Sequence, residues 1–237
     1  VLKGVLQFQV LKSVIHFKLT FVRGVRQESS FICLRVAISV FPAYHTSKVQ
    51  LRLFDMKETT PSNGNNCNFS GIRPAMADLS WPSVRVCGRN PSYANLLGID
   101  HSGMVSEMTA ITQYISNENR LSSELCPLAR SILGIAMAEM IHLQKLGELI
   151  CLLGGNVDFT ARYRGGKPRM WTPAYLSHRP SAREMLLADI ESEKQAIAQY
   201  TAHIKIIDDA HVNAVLKRII VDEEYHIMLL QGLLAEM

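Results

Sequence analysis

Cysteine is scarce in this sequence, and its spacing excludes the common cysteine-based sites. The 237 residues contain 5 cysteines, an odd number, and none of them forms a C-x-x-C motif. A disulfide framework, a cysteine-ligated zinc site and a rubredoxin-type iron site are therefore not expected. Few, widely spaced cysteines are typical of proteins in a reducing compartment, so we expect the protein in the cytoplasm.

Long apolar runs are also missing. No uninterrupted stretch reaches the roughly 18 residues that a membrane-spanning helix requires. The apolar segment 31–41 is shorter than that and contains Arg35. It also lacks the small-residue cleavage pattern of a signal peptide. We therefore expect no membrane span.

Acidic residues are few in the first part of the chain. Residues 1–90 contain 12 Lys/Arg and 4 Asp/Glu, whereas residues 91–237 contain 13 and 17, which gives the whole chain a formal charge of +4. A basic segment can bind nucleic acid, but here the basic residues stand singly among aliphatic ones, without a basic stripe or interleaved aromatic residues. Nucleic acid is therefore not an expected partner.

Three regions differ in composition, and we expect them to form three parts of the protein. Residues 1–55 are basic and aliphatic without sustained periodicity, residues 56–97 are rich in Pro, Gly, Asn and Ser, and residues 98–237 have helical periodicity. The middle region predicts an irregular arm. Because the first methionine is Met56 and the charge pattern changes there, we expect residues 1–55 to be upstream sequence read through in frame. The alternative is an amphipathic targeting extension.

Apolar periodicity in the third region predicts four helices, at about 98–118, 123–153, 181–207 and 210–235. Gly154-Gly155 is a stop signal for the second helix, the Ser-x-x-Glu pattern at Ser181 is a capping box for the third, and Asp208-Asp209 offers N-caps for the fourth. The connection 156–179 is long, and the other two are short. This connectivity predicts an all-α fold, a ferritin-like four-helix bundle of two helical hairpins joined by a crossover, with an irregular N-terminal extension.

The helical region contains an internal repeat. EMTAITQY at 107–114 matches EKQAIAQY at 193–200, and the E-x-x-H motif at 139–142 matches the one at 223–226. The copies are 86 and 84 residues apart, so the same helical hairpin occurs twice.

The repeated polar residues are predicted to face the bundle interior. Residues three apart lie on one face of a helix, and apolar residues such as Leu146 and Ile219 share that face with the E-x-x-H motifs. The glutamates that begin the two longer repeats also stand among apolar residues. The four helices therefore direct four carboxylates and two imidazoles inward, from Glu107, Glu139, His142, Glu193, Glu223 and His226.

Four buried carboxylates require compensating charge, since even one unpaired buried ion costs several kcal/mol. Two divalent cations would neutralise them and leave neutral imidazoles as nitrogen ligands. A carboxylate-rich site with one imidazole per metal favours iron or manganese over zinc. A solvated surface glutamate or a hydrogen-bonded core histidine would explain any one of these residues, but not six at corresponding positions.

These motifs resemble those of the ferritin-like superfamily, in particular its bacterioferritin and rubrerythrin branch. The resemblance covers roughly residues 98–237 and depends on the six residues above. It implies that Tyr114 and Tyr200 hydrogen-bond ligating carboxylates, the alternative being core packing alone, and that Asp222 orients His142. The position that corresponds to Asp222 in the first hairpin is Ala138, so His226 would need another partner.

The resemblance implies an oxidoreductase in which two Fe ions react with H2O2 or O2, as in a rubrerythrin-like peroxidase or ferroxidase. Because a C-x-x-C pair is absent, electrons would come from an external donor protein or from iron itself. Dimanganese catalase and iron storage are alternatives, and the sequence leaves Fe versus Mn open. No catalytic residue beyond the metal ligands is indicated, and we expect a homo-oligomer, most simply a dimer.

Four further features carry weaker expectations. Met140 stands where bacterioferritin offers an axial ligand to haem, but we expect ordinary packing and no haem. Glu191 and Glu224 flank the proposed ligands, and we expect them at the surface. The segment 162–175 in the crossover either gates the site, docks a partner or packs across the bundle.

Overall fold

The structure is a computed structural model that describes residues 67–237 and the backbone of three strands nearer the N-terminus. The chain divides into two units, Val1–Lys48 and Val49–Met237. The first contains an antiparallel sheet in the order β1 (Val5–Leu6), β2 (His16–Arg23) and β3 (Ile32–Ser39), with His16 opposite Ser39. The sequence did not predict these strands. The origin of residues 1–55 lies outside the described residues and stays a prediction.

The second unit is mostly helical. Its helices are α1 (Pro91–Ser102), α2 (Glu107–Leu121), α3 (Cys126–Leu152), α4 (Ala182–Ile206) and α5 (Ala210–Ala235). The crossover between α3 and α4 contains the short antiparallel strands β4 (Thr160–Ala161) and β5 (Arg169–Met170) and one 3-10 turn (Pro173–Tyr175). Because α2 packs mainly against α3 and α4 mainly against α5, the predicted bundle of two helical hairpins joined by a long crossover is confirmed.

The start of the bundle differs from the prediction of one helix over 98–118. α1 begins at Pro91, inside the region 56–97 that was expected to be irregular, and the Asn90 side chain caps it by accepting from two backbone amides. Proline is favoured at the start of a helix because its fixed φ suits that position. The irregular arm that precedes α1 therefore ends at about residue 90.

A break at residues 103–106 separates α1 from α2. A Cβ at Gly103 would lie 2.6 Å from the carbonyl oxygen of Ile99, so a side chain would not fit where the chain turns. Ser106 then caps α2, with its hydroxyl accepting from the amide of Thr109 at 3.3 Å. Glu107 is consequently the first residue of α2, where the helix dipole favours a carboxylate.

Two apolar clusters fill the bundle, and a polar layer separates them. One cluster, next to α1, is represented by Leu97, Leu146, Leu149, Val212, Leu216 and Ile219. The other is represented by Ile132, Ile135, Met185, Leu186 and Leu230. Along α3 and α5 the buried polar side chains between the clusters are those of Glu139, His142, Asp222, Glu223 and His226. The function has to account for this polar layer.

Within residues 67–237, α3 is the one helix long and apolar enough to cross a membrane by length and composition alone. Half of its most apolar window is buried inside the protein. It also carries Glu139 and His142, both fully buried. These features are those of the core helix of a bundle.

The segment 67–90, which we call the arm, runs along α3 and α5. The amide of Ala75 donates to the carbonyl of Gly134 at 2.8 Å. Farther along, the amide of Cys87 donates to Asp209, the cap of α5, at 2.7 Å. A Cβ at Gly134 would lie 3.2 Å from an arm carbonyl, so the glycine permits the close approach. The arm is thus attached at both ends of the bundle.

Cys67 in the arm and Cys126 at the start of α3 form a disulfide. The expectation of no disulfide is therefore wrong for this pair, because packing of the arm on α3 joins two cysteines that are far apart in sequence. Cys87 and Cys151 are free and exposed. Cysteine usage accordingly no longer argues for a reducing compartment, and the cytoplasmic location stays a prediction.

Replacing Cys67 and Cys126 by serine should lower the free energy of unfolding by roughly 2–4 kcal/mol, because a cross-link restricts the unfolded chain. The disulfide joins residues 59 apart in sequence. The measurement is urea denaturation of the oxidised protein followed by circular dichroism. The matched control replaces the exposed Cys87 and Cys151 by serine and should leave the midpoint unchanged. A wild-type midpoint that does not respond to reductant would contradict the prediction.

Candidate metal centre

Six buried side chains from four helices meet between the two apolar clusters. α2 contributes Glu107, α3 contributes Glu139 and His142, α4 contributes Glu193, and α5 contributes Glu223 and His226. Each is at most 3% exposed. These are the six residues that the sequence predicted as ligands, and the structure brings all of them together.

The six residues form two groups that share two members. Ligand atoms of Glu107, Glu139, His142 and Glu223 lie within 4.8 Å of one another, and so do those of Glu139, Glu193, Glu223 and His226. We call the point surrounded by the first group the His142 position. The point surrounded by the second group is the His226 position. Glu139 and Glu223 belong to both groups.

The shared carboxylates present one oxygen to each position. Glu139 Oε2 lies 2.8 Å from His142 Nδ1, and Glu139 Oε1 lies 3.2 Å from His226 Nδ1. Glu223 is arranged in the same way, with Oε1 3.4 Å from His142 Nδ1 and Oε2 3.0 Å from His226 Nδ1. Each of the two carboxylates could therefore offer one oxygen to a cation at either position.

The outer nitrogens of the two imidazoles have different partners. His142 Nε2 lies 3.1 Å from Asp222 Oδ2, the residue that the sequence proposed for this role. His226 Nε2 lies 2.8 Å from the carbonyl oxygen of Ala75 in the arm, a main-chain partner that side-chain patterns do not reveal. A carbonyl oxygen only accepts, so His226 Nε2 carries a hydrogen, and Nδ1 is left to take a proton or a cation.

Several inward-facing atoms of the centre have no hydrogen-bond partner among the described residues. They are Glu139 Oε1, Glu223 Oε2 and His226 Nδ1; the nitrogen lies 3.2 and 3.0 Å from the two oxygens, but these contacts do not have hydrogen-bond geometry. Buried polar atoms are normally satisfied, so unpaired ones require an explanation such as a bound ion. Carboxylate oxygens and a neutral imidazole nitrogen are suitable ligands for iron or manganese. The residues present therefore fit a pair of these cations.

Burial favours the protonated form of the carboxyls at the two ends of the centre when no cation is bound. Burial, and then the charges of Glu139 and Glu223, raises the pKa of Glu107 well above its usual range. The same causes raise the pKa of Glu193 to about 8. At neutral pH the carboxyl of Glu193 therefore favours its protonated form in the metal-free protein.

Burial affects the pKa of an imidazole in the opposite sense to that of a carboxyl, because it disfavours the charged form of each. Burial alone would lower the pKa of His142 and His226, but the facing carboxylates outweigh it and raise both pKa values well above the usual range. Burial would likewise raise the pKa of Glu139, but the two imidazolium charges hold it below its usual range. A cation that enters the centre must therefore displace protons from imidazoles as well as from carboxyls.

Two buried tyrosines connect the helical hairpins. The Tyr114 hydroxyl on α2 donates to Glu193 on α4, and the Tyr200 hydroxyl on α4 donates to Glu107 on α2. Each tyrosine thus bonds the glutamate of the other repeat. Burial, followed by the neighbouring carboxylates, raises the pKa of both hydroxyls, so both remain donors. They hold the two glutamates that are not shared.

Asp222 is itself held by three groups. Arg218 Nη1 lies 2.6 Å from Oδ1, and the arm amide of Ala77 donates to the same oxygen at 2.8 Å, which leaves Oδ2 for His142. Burial alone would raise the pKa of Asp222, but the hydrogen bonds from His142 and Arg218 lower it. The sequence analysis missed Arg218, although its spacing of four residues before Asp222 on one helix is a signal for such a pair.

The remaining sequence predictions have mixed outcomes. Glu191 and Glu224 are exposed, as expected. Met140 is 46% exposed, so its interpretation as a packing residue is wrong for the single chain, because this face of α3 is turned away from both apolar clusters. In the crossover, Trp171 Nε1 donates to Thr109 Oγ1 at 3.0 Å, so this part of segment 162–175 packs against α2 beside Glu107.

Comparison with known proteins places the chain in a family. Residues 102–237 match the ferritin family, described as a ferritin-like domain. A probable manganese catalase from Clostridium acetobutylicum is 28% identical over 167 residues, which cover 62% of this chain and 72% of that protein.

Among solved structures, that of a manganese catalase agrees with this match. The crystal structure of KatB, a manganese catalase from Anabaena, has 25% sequence identity and a TM-score of 0.58 and covers 67% of this chain and 78% of its own. Bacterioferritin BfrA from Mycobacterium tuberculosis has 25% identity and a TM-score of 0.49, with coverage of 63% and 88%. Because the family match spans more than half of the sequence, this chain belongs to the ferritin family of ferritin-like domain proteins.

Proposed function

We propose that this protein binds two manganese ions at the His142 and His226 positions and disproportionates hydrogen peroxide. The observation that carries the proposal is the pair of shared carboxylates, Glu139 and Glu223, each with one oxygen toward either position. The unpaired buried atoms support cations, since a bundle interior without them would leave these atoms unsatisfied.

The similarity to manganese catalases favours this reaction over the rubrerythrin-like peroxidase that the sequence motifs suggested. The stretch matched to the Clostridium acetobutylicum protein is 167 residues long. It covers 62% of this chain and 72% of that protein. A carboxylate-rich site also suits iron. A di-iron peroxidase or ferroxidase is therefore the second candidate.

The proposal gives each side chain a task. Glu107 and His142 would hold one ion, Glu193 and His226 would hold the other, and Glu139 and Glu223 would contribute to both. The ions, once bound, supply the paired one-electron changes that peroxide chemistry requires. Two H2O2 molecules yield two water molecules and one O2, so no external electron donor takes part.

The surrounding residues maintain the centre. Tyr114 and Tyr200 fix the orientation of the two unshared glutamates, and Asp222 and Ala75 fix the rings of the histidines. Outer partners of this kind set ligand orientation, and an apolar shell limits the access of water. Storage of iron, a homodimeric assembly and an external electron donor stay predictions.

Metal content and activity test the proposal directly. Protein purified from cells supplied with both iron and manganese should contain about two Mn per chain. It should release O2 from H2O2 without added reductant. Replacing the bridging carboxylate in Glu223→Gln should reduce metal content and lower O2 release by on the order of 100-fold or more. The matched control is Glu224→Gln, which changes the exposed neighbour.

Other outcomes would redirect or overturn this assignment. Two Fe per chain, with peroxide consumed only when an electron donor is added, would favour the peroxidase. Metal content that is equally low in the wild type and in Glu223→Gln would reject both reactions and the ligand assignment.

Affinity for Mn²⁺ should rise with pH. The pKa of Glu193 is raised to about 8, so its carboxyl favours the protonated form at neutral pH in the metal-free protein and must lose a proton on binding. The raised pKa of Glu107 acts in the same direction. Between pH 6 and pH 8 the affinity should increase about tenfold per pH unit for each proton displaced. Calorimetry in buffers of different ionisation enthalpy measures the released protons. A dissociation constant independent of pH over this range would contradict the prediction.

A further inference from the structure

The two metal positions have equivalent inner ligands but different outer partners. The internal repeat relates Glu139 to Glu223 and His142 to His226, so the inner ligand sets match. On the outer side, His142 Nε2 faces a carboxylate, that of Asp222, whereas His226 Nε2 faces a neutral carbonyl, that of Ala75. At the position that corresponds to Asp222, the first hairpin has the fully buried Ala138. The difference between the outer partners of the two histidines therefore follows from the amino-acid sequence, which has Asp222 in one hairpin and Ala138 in the other.

Arg218 connects Asp222 to the arm. Its Nη1 lies 2.6 Å from Asp222 Oδ1, and its Nη2 donates to the arm carbonyls of Ala77 and Leu79 at 3.0 and 3.2 Å. The guanidinium also stacks over the ring of Trp81 at 4.8 Å. With Oδ1 occupied by Arg218 and by the Ala77 amide, Asp222 presents Oδ2 to His142.

We propose that Arg218 is a positioning residue that makes the two metal positions unequal. Through Asp222 it makes the His142 position the tighter one, which fills first, and the His226 position the weaker one, which fills second. An imidazole that donates to a carboxylate is a more basic ligand than one that donates to a neutral carbonyl. The inference rests on the proposed binding of two metals and is independent of the reaction that they perform.

The arrangement makes the effect of Arg218 selective. Removal of its side chain would take the 2.6 Å ion pair from Asp222 and leave the Ala77 amide as the remaining described partner of Oδ1, so the carboxylate that orients His142 would be held less firmly. The partner of His226 is held differently, because the Ala75 amide donates to the Gly134 carbonyl at 2.8 Å, without Arg218. Loss of Arg218 therefore affects the His142 position more than the His226 position.

Titration of the metal-free protein with Mn²⁺, followed by electron paramagnetic resonance, tests the inference without an activity assay. Wild-type protein should show an isolated Mn²⁺ signal first and a coupled pair later, with dissociation constants at least about tenfold apart. Arg218→Met should weaken the first step about tenfold, within the range for outer partners of metal ligands, and change the second little. The two steps should then merge.

Control variants separate positioning from folding. Arg218→Lys should recover part of the first-step affinity, since it restores the charge. Lys217→Met removes a positive charge from the exposed neighbouring position and should leave both steps unchanged. If Arg218→Met does not fold, as judged by circular dichroism, Asp222→Asn replaces it, because the amide keeps the size of the side chain and removes the carboxylate. The same selective weakening is expected.

Two results would overturn the inference and leave the proposed function standing. One is a wild-type protein that binds two Mn²⁺ with a single dissociation constant. The other is an Arg218→Met variant in which both steps weaken equally, as a purely structural role would produce. A wild-type protein that binds no Mn²⁺ or Fe²⁺ would instead reject the proposed function.

Discussion

Burial of four carboxylates in one apolar bundle is the constraint on which the rest of the structure depends. Each carboxylate would repel the others in a medium where charge is weakly screened, so the interior must supply positive charge or protons. Two imidazoles face Glu139 and Glu223, and two tyrosine hydroxyls hold Glu107 and Glu193. In the metal-free protein, charge on the imidazoles and protons on the unshared carboxyls offset the negative charge. A pair of divalent cations would take the place of these protons.

The repeated hairpin explains why the inner part of the centre is symmetric. Two copies of the same helix pair each provide one unshared glutamate, one shared glutamate and one histidine. Each tyrosine donates a hydrogen bond to the unshared glutamate of the other copy. The arm has no counterpart in the repeat. It lies outside the bundle along α3 and α5 and contacts His226 and Asp222 through main-chain atoms of Ala75 and Ala77. These contacts make the outer sides of the two imidazoles different.

The sequence was sufficient to predict the features that helical periodicity determines, namely which side chains of the bundle helices point inward. Residues three apart share a helix face, so the two E-x-x-H motifs and their apolar neighbours predicted which side chains point inward. Contacts that depend on tertiary packing were missed. The carbonyl of Ala75 carries no side-chain signature, and the pairing of Cys67 with Cys126 follows only from the path of the arm. The break at Gly103 was hidden because the apolar pattern continues across it.

The disulfide and the metal centre are joined through the arm, but they constrain it differently. From Cys67 to Ala75 the arm advances eight residues, the same number as from Cys126 to Gly134 on α3. Eight helical residues span about 12 Å, whereas eight extended residues can span about 26 Å. The disulfide alone therefore leaves the arm enough slack to shift over α3. The position of the Ala75 carbonyl depends instead on the close approach at Gly134, and that of Asp222 on Arg218. Stability should consequently respond to Cys67 and Cys126, and metal affinity to Gly134 and Arg218.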